Sequence, residues 1–118
     1  MEITRETMKA GESEKTVETI HIQGRLDSMT SQEFEKQLFK LLDEGKTLVV
    51  LDCSKLDYVS SAGLRAFLST AKKARQVQGK LTIGCPSLQV GEILDVAGFS
   101  GILPIFKTLE EAVNAAAV

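Results

Sequence analysis

The sequence predicts a single α/β domain, spanning residues 1–118, built on a mixed and mostly parallel sheet with about four helices. Three observations carry that expectation. After an initial hairpin, apolar segments of strand type alternate with amphipathic helical segments, giving the order β-β-α-β-α-β-α-β-α. Threonine or serine stands before most helical segments and glycine after them. The 118 residues, 43% hydrophobic and 25% charged, suit one core, since a chain of this size buries roughly two-thirds of the surface it exposes when unfolded.

Ile3 to Met8 and Thr16 to Gln23 read as two strands. The polar stretch Lys9 to Lys15 between them is too hydrophilic to bury and forms the hairpin turn. In the second strand Glu18, Ile20 and Ile22 share one face and Val17, Thr19 and His21 the other, an imperfect alternation. Gly24 breaks the pattern, and Leu26-Asp27-Ser28 leads into a helix. Thr30 and Glu33 have capping-box spacing, and Phe34, Leu38, Leu41 and Leu42 make one apolar face that Gly45 closes. Leu48 to Leu51 is a continuous apolar run, too short for a helix and suited to a strand covered on both sides.

A turn over Asp52 to Lys55 is expected next, then the apolar pair Tyr58-Val59 and a helix from about Ser61 to Gln78. Its inner face is Leu64, Phe67, Leu68, Ala71 and Ala74, with Arg65, Lys72, Lys73 and Arg75 largely outside. Gly79 ends it. Leu81, Ile83 and Cys85 alternate as a strand, Pro86-Ser87 turn the chain, and Val90, Ile93, Leu94 and Ala97 make a short helix closed by Gly98. Ile102 to Phe106 reads as a strand placed at a sheet edge by Pro104. Thr108 and Glu111 open a last helix carrying Leu109, Ala112, Val113 and Ala116.

Several function classes are excluded or disfavoured. A formal net charge of −2 does not suit direct binding of nucleic acid, which needs a basic stripe. Cys53 and Cys85 sit in apolar stretches without metal-ligand spacing, so they read as reduced core residues, and neither a metal nor a cofactor is expected. His21, the one histidine, reads as a partly exposed or edge residue rather than a ligand. Residues 1–9 lack a signal-type apolar run and no segment approaches a membrane span, so the expected location is the cytoplasm, away from membranes.

In parallel sheets functional groups gather where loops leave the carboxyl ends of strands. The segment Tyr58-Val59-Ser60-Ser61-Ala62-Gly63-Leu64 stands there, between the central strand and a long helix. A serine at the N-cap accounts for itself by accepting a free backbone N–H, worth about 1 kcal/mol. A second serine followed by Ala62 and Gly63 needs another reason, and a run of small residues leaves the helix end open to a partner. A phosphate on such a hydroxyl adds about −1.5 to −2 charges, which a helix N-terminus tolerates. It would disrupt an interface while sparing the fold.

The segment Leu56-Asp57-Tyr58-Val59-Ser60-Ser61-Ala62-Gly63-Leu64 resembles the phosphorylation motif of bacterial anti-sigma factor antagonists, members of the STAS domain family. Gly24-Arg25-Leu26-Asp27, the central strand with Asp52, Gly79-Lys80-Leu81 and the segment Ile93 to Phe99 resemble further family features, so the likeness covers nearly the whole chain. The resemblance implies a protein without catalytic activity of its own. Its unphosphorylated form binds an anti-sigma factor that is also a serine kinase, releasing the sigma factor, and a PP2C-type phosphatase resets it. It also implies Ser61 as the phosphate acceptor, two places before Gly63. Where the family often carries aspartate before the acceptor, this chain has Ser60, a competing hydroxyl. Asp27 resembles an acidic residue that helps to dock the kinase, although a turn or cap role fits it equally well. Asp27, Ser60, Ala62, Gly63, Leu64 and Arg65 are the expected partner-binding residues, on a monomer or weak dimer. Two other readings remain: a STAS-like adaptor in another partner-switching pathway or beside a transporter, and a serine hydrolase using Ser61 and His21. The hydrolase is disfavoured because Val59 stands where a nucleophile elbow needs glycine.

Overall fold

In the computed structural model, which describes residues 1–11 and 13–118, the elements follow the expected order. They are β1 (Glu2–Lys9), β2 (Thr16–Leu26), α1 (Ser31–Asp43), β3 (Leu48–Val59), α2 (Ser61–Gln76), β4 (Lys80–Gly84), α3 (Leu88–Val96), β5 (Ile105–Phe106) and α4 (Leu109–Ala116). A 3₁₀ turn, Phe99–Gly101, precedes β5. The strands lie side by side in chain order, with β1 antiparallel to β2 and every later pair parallel. The mixed, mostly parallel α/β sheet is therefore as the alternation required. Glu12 of the expected hairpin turn lies outside the described residues.

One sheet face is covered by α1, α2 and α3. Ile20, Ile22, Leu51, Cys53 and Leu56 are buried there with Phe34 and Leu38 of α1, Phe67 of α2 and Leu94 of α3. Phe34 and Phe67 meet edge to face at 5.6 Å between ring centroids, a geometry worth about 0.5–1.5 kcal/mol beyond the area buried. The other face is covered by α4, whose Ala112, Val113 and Ala116 pack on Val17 and Val50. Thr82 keeps its buried hydroxyl satisfied by donating to the Ala112 carbonyl at 2.9 Å. Glu18, also buried, accepts from the Thr7 hydroxyl at 3.0 Å and pairs with Arg5.

Several local expectations are corrected. β2 does not stop at Gly24; it continues to Leu26 through a register shift, with Gly24 at φ +99°, where a glycine is the suitable residue. The predicted turn at Asp52 to Lys55 is strand: β3 runs on to Val59 because Cys53, Leu56 and Val59 all reach the core. Thr30 forms no capping box. Its hydroxyl donates to the Arg25 carbonyl and accepts from the Asp27 N–H, bracing the β2–α1 loop instead.

On α2 the buried stripe is Gly63, Ala66, Phe67, Thr70, Ala71 and Ala74, whereas Leu68 is 37% exposed and Leu64 half-buried. The small residues let the helix sit close to the sheet, and Leu68 falls just beyond that stripe. Ala97 lies after the end of α3 and is exposed. The last strand is shortened to two residues at the sheet edge, because Phe99–Gly101 coils first and Ile102 stays half-exposed. Cys85 is not a core residue. It follows β4 with a left-handed φ of +41°, partly exposed, and its thiol donates to Asp52 Oδ1 at 3.1 Å. No helix among the described residues is long and apolar enough to cross a membrane.

Candidate functional site

The strand order has no reversal, so the sheet lacks the crevice in which open α/β folds usually hold small ligands. What its carboxyl-terminal edge presents is a surface, formed where β2 and β3 end side by side. Leu26 pairs with Val59 in register. One residue further, the Ser60 N–H donates to the Leu26 carbonyl at 2.9 Å, and the chain turns into α2.

The two serines have different duties. Ser60 is the N-cap, in extended backbone, and its hydroxyl oxygen accepts from the Gly63 N–H at 3.3 Å. Ser61 is the first helical residue and is exposed, and among the described residues no protein group bonds its hydroxyl. Gly63 is buried beneath them. A Cβ at that position would stand 2.6 Å from the Leu26 carbonyl oxygen and 2.8 Å from Val59 Cγ1. Glycine is thus required so that the helix start can rest on the end of β2. Ala62 is half-buried, Leu64 leans on the core from the rim, and Arg65 is exposed.

Asp27 lies one residue beyond Leu26. Its carboxylate accepts from the Met29 N–H at 3.0 Å and pairs with Arg25 at 3.7 Å, and the Thr30 hydroxyl, whose one proton is shared with the Arg25 carbonyl, lies 3.3 Å from it. The Met29 bond, with smaller help from Thr30 and the Arg25 guanidinium, holds this carboxyl below its usual range. Asp27 therefore closes its loop as a turn residue, and it reaches the serines through the Leu26–Ser60 backbone bond rather than by direct contact. Leucine, glycine and both serines are brought together as the spacing suggested; Asp57 is exposed beyond β3's buried line.

Three surface features escaped sequence reasoning. The Arg25 guanidinium lies 4.5 Å above the Tyr58 ring, a pairing set by the β2–β3 register. That register is not legible in the sequence, where the apolar run of β3 stops at Leu51. Met29, 88% exposed, and Leu88, 80% exposed at the start of α3, are bulky apolar side chains left in solvent. An apolar residue flanked by turn formers, as in Asp27-Ser28-Met29-Thr30, was the available signal for the first.

Other candidates fall elsewhere. His21 has both ring nitrogens already paired, Nδ1 with Asp52 and Nε2 with Glu6, so it is not available as a base for Ser61. Lys73 of the basic α2 face is engaged with Asp43 at 2.9 Å, while Arg65, Lys72 and Arg75 are exposed. Among the described residues no cluster of three potential ligands could hold a metal ion.

Comparison with known proteins places this geometry. The STAS domain model matches residues 11–112. The chain is similar to BtrV of Bordetella bronchiseptica, which is named as an anti-sigma factor antagonist, with 40% identity over 94 residues covering 80% of this chain and 81% of that protein. It is 28% identical over 91 residues to the anti-sigma-B factor antagonist of Staphylococcus epidermidis, covering 77% and 84%. Its backbone superposes on a Thermotoga maritima protein described as an anti-sigma factor antagonist, with a TM-score of 0.82 at 17% identity, covering 98% and 95%. The phosphorylated form of the Bacillus cell fate determinant SpoIIAA has a TM-score of 0.70 at 17% identity, covering 97% and 98%. These structures share the fold, and the family model and the sequence relatives settle the lineage: the chain belongs to the STAS domain family.

Proposed function

We propose that this protein is an anti-sigma factor antagonist that acts by binding, without catalysis of its own, and is switched off by phosphorylation of Ser61. The observation that carries the reading is the division of labour between the serines. Ser60 has its hydroxyl oxygen committed to capping α2, whereas Ser61 is exposed and, among the described residues, its hydroxyl has no protein partner. In the proposed cycle the unphosphorylated protein captures a serine-kinase anti-sigma factor in the cytoplasm and frees the sigma factor. The kinase then transfers the γ-phosphoryl group of ATP to Ser61 Oγ, releasing ADP, and a PP2C-type phosphatase removes it.

The geometry supports a switch of binding. A phosphate at the first residue of α2 faces the positive end of the helix, an arrangement favourable by about 0.3–1 kcal/mol. The same group at a packed interface must be stripped of water or set against like charge, which costs several kcal/mol, on the order of a hundredfold or more in affinity. Met29, exposed in the loop after β2, and Tyr58, partly exposed near the end of β3, supply apolar area for such an interface.

The test is to incubate the protein with its cognate kinase and ATP and map the phosphate by mass spectrometry. Phosphate on Ser61, absent from Ser61→Ala, is the expected result. No phosphate, or phosphate confined to Ser60 with Ser61→Ala still releasing the kinase, overturns the reading.

A further inference from the structure

α4 covers only part of its sheet face, and the uncovered part is polar. A groove of about 410 Å³ runs across it, lined by Glu2, Thr4, His21, Gln23, Asp52 and Ser54 among others. Its His21 and Asp52 belong to a chain of side chains that crosses successive strands. Glu6 Oε1 of β1 lies 3.0 Å from His21 Nε2 of β2, and His21 Nδ1 lies 2.6 Å from Asp52 Oδ2 of β3. Asp52 Oδ1 in turn accepts from the Ser54 N–H at 3.0 Å and the Cys85 thiol at 3.1 Å.

Ionised carboxylates only accept hydrogen bonds, so a ring held between two of them must donate from both nitrogens, and only the imidazolium can. We propose that His21 is a proton-operated clasp that ties the edge strand β1 across β2 to β3 and loosens β1 when its proton leaves. A neutral ring keeps one N–H. The shorter and more buried Asp52 contact retains it, and Glu6, 59% exposed, is released. Beyond its eight-residue backbone ladder with β2, β1 has few side-chain anchors. Only Ile3 and Met8 among its side chains are half-buried, Met8 also accepting from the Thr19 hydroxyl at 3.0 Å, and the Thr7 and Arg5 contacts to Glu18 flank Glu6 on the opposite face of the sheet.

The charged and titratable groups around the ring are Glu2 and Glu6 from β1, Asp52 and Lys55 from β3, and Cys85, which acts through Asp52. Burial opposes the charge on His21, but the bonds and charges of Glu6 and Asp52 outweigh it and raise its pKa above the ordinary 6.5. The clasp is therefore complete below pH 6.5 and is lost as pH rises through the higher value of the folded protein.

Because His21 is the only histidine in the chain, its ring signals in an NMR titration are unambiguous. They are recorded together with hydrogen exchange of the β1 amides, corrected for the intrinsic effect of pH. The ring titrates above 6.5, and the opening of β1 increases about two- to fivefold across that titration, the range of an exposed ion pair. Amides of Phe67 and Ala71 in α2 do not follow it. Glu6→Gln, at an exposed position, folds normally, lowers the ring's titration and removes the step in β1. A ring that titrates at or below 6.5, or a β1 step that persists in Glu6→Gln, overturns the proposal.

Discussion

The Ser60 N–H and the Leu26 carbonyl, 2.9 Å apart, join the end of one strand to the start of the helix that follows its neighbour. Every part of the candidate site is positioned from that bond. It sets the entry of α2, seats Gly63 on the Leu26 carbonyl, and leaves Asp27 and Ser61 each one residue beyond it.

Substituting Gly63 tests the seating directly. In Gly63→Ala the added Cβ meets backbone oxygen at 2.6 Å, which cannot move as a flexible side-chain tip could. Thermal or urea unfolding is expected to show a loss of about 1–3 kcal/mol, the cost of overpacking a tight contact. Binding to the kinase falls with it, because the helix start is displaced. A variant as stable as the parent contradicts the close approach.

The two serines should respond differently to alanine. Ser60→Ala removes the cap and costs about 1 kcal/mol, leaving phosphorylation of Ser61 possible. Ser61→Ala removes an exposed hydroxyl and changes stability by less than about 0.5 kcal/mol, while abolishing phosphorylation. Denaturation curves read alongside kinase assays separate the two.

Ser61→Asp places one negative charge at the first residue of α2. Stability is unchanged or raised by up to about 1 kcal/mol through the helix dipole. Calorimetric titration with the kinase should show weaker binding, and a variant that binds as tightly as the parent argues against an interface at this position.

Acid reports on Asp27. Its carboxyl is held below the ordinary 3.8, first by the Met29 N–H. The stability it contributes is complete above pH 3.8 and is lost as pH falls through the lower value of the folded protein. The difference in unfolding free energy between the parent and Asp27→Asn is therefore expected to be constant near neutrality and to shrink in that acid window.

Thiol labelling checks the surroundings of Cys85. Burial, then the neighbouring Asp52 carboxylate, push its thiol up to about 11 from an ordinary 9.0. At pH 8 it holds about a hundredfold less thiolate than a free cysteine, so alkylation is correspondingly slow despite partial exposure. Asp52→Asn removes the charge and speeds it. Cys53, fully buried and also shifted upward, stays unlabelled until the protein unfolds.

Much of the architecture was legible because it rests on local signals. Phe34, Leu38, Leu41 and Leu42 announce α1 by their spacing, and Ser60 with Gly63 announces the start of α2. Asp52 to Lys55 misled because charged and polar residues look like a turn, yet Cys53 and Leu56 on the same segment are core. Thr30 misled because a capping hydroxyl has a rival partner, the Arg25 carbonyl, that only the folded loop brings within reach. Cys85 looked like a third inward residue of its strand, but the backbone turns left-handed there and hands the thiol to Asp52.

The sequence alone determined the element order, the mostly parallel sheet and the serine pair at a helix start, because periodicity and capping act over a few residues. Tertiary structure decided which serine hydroxyl is free, why position 63 must be glycine, and that His21 stands between Glu6 and Asp52. Each of these depends on atoms from strands far apart in the chain, whose register follows from packing and is written in no single segment.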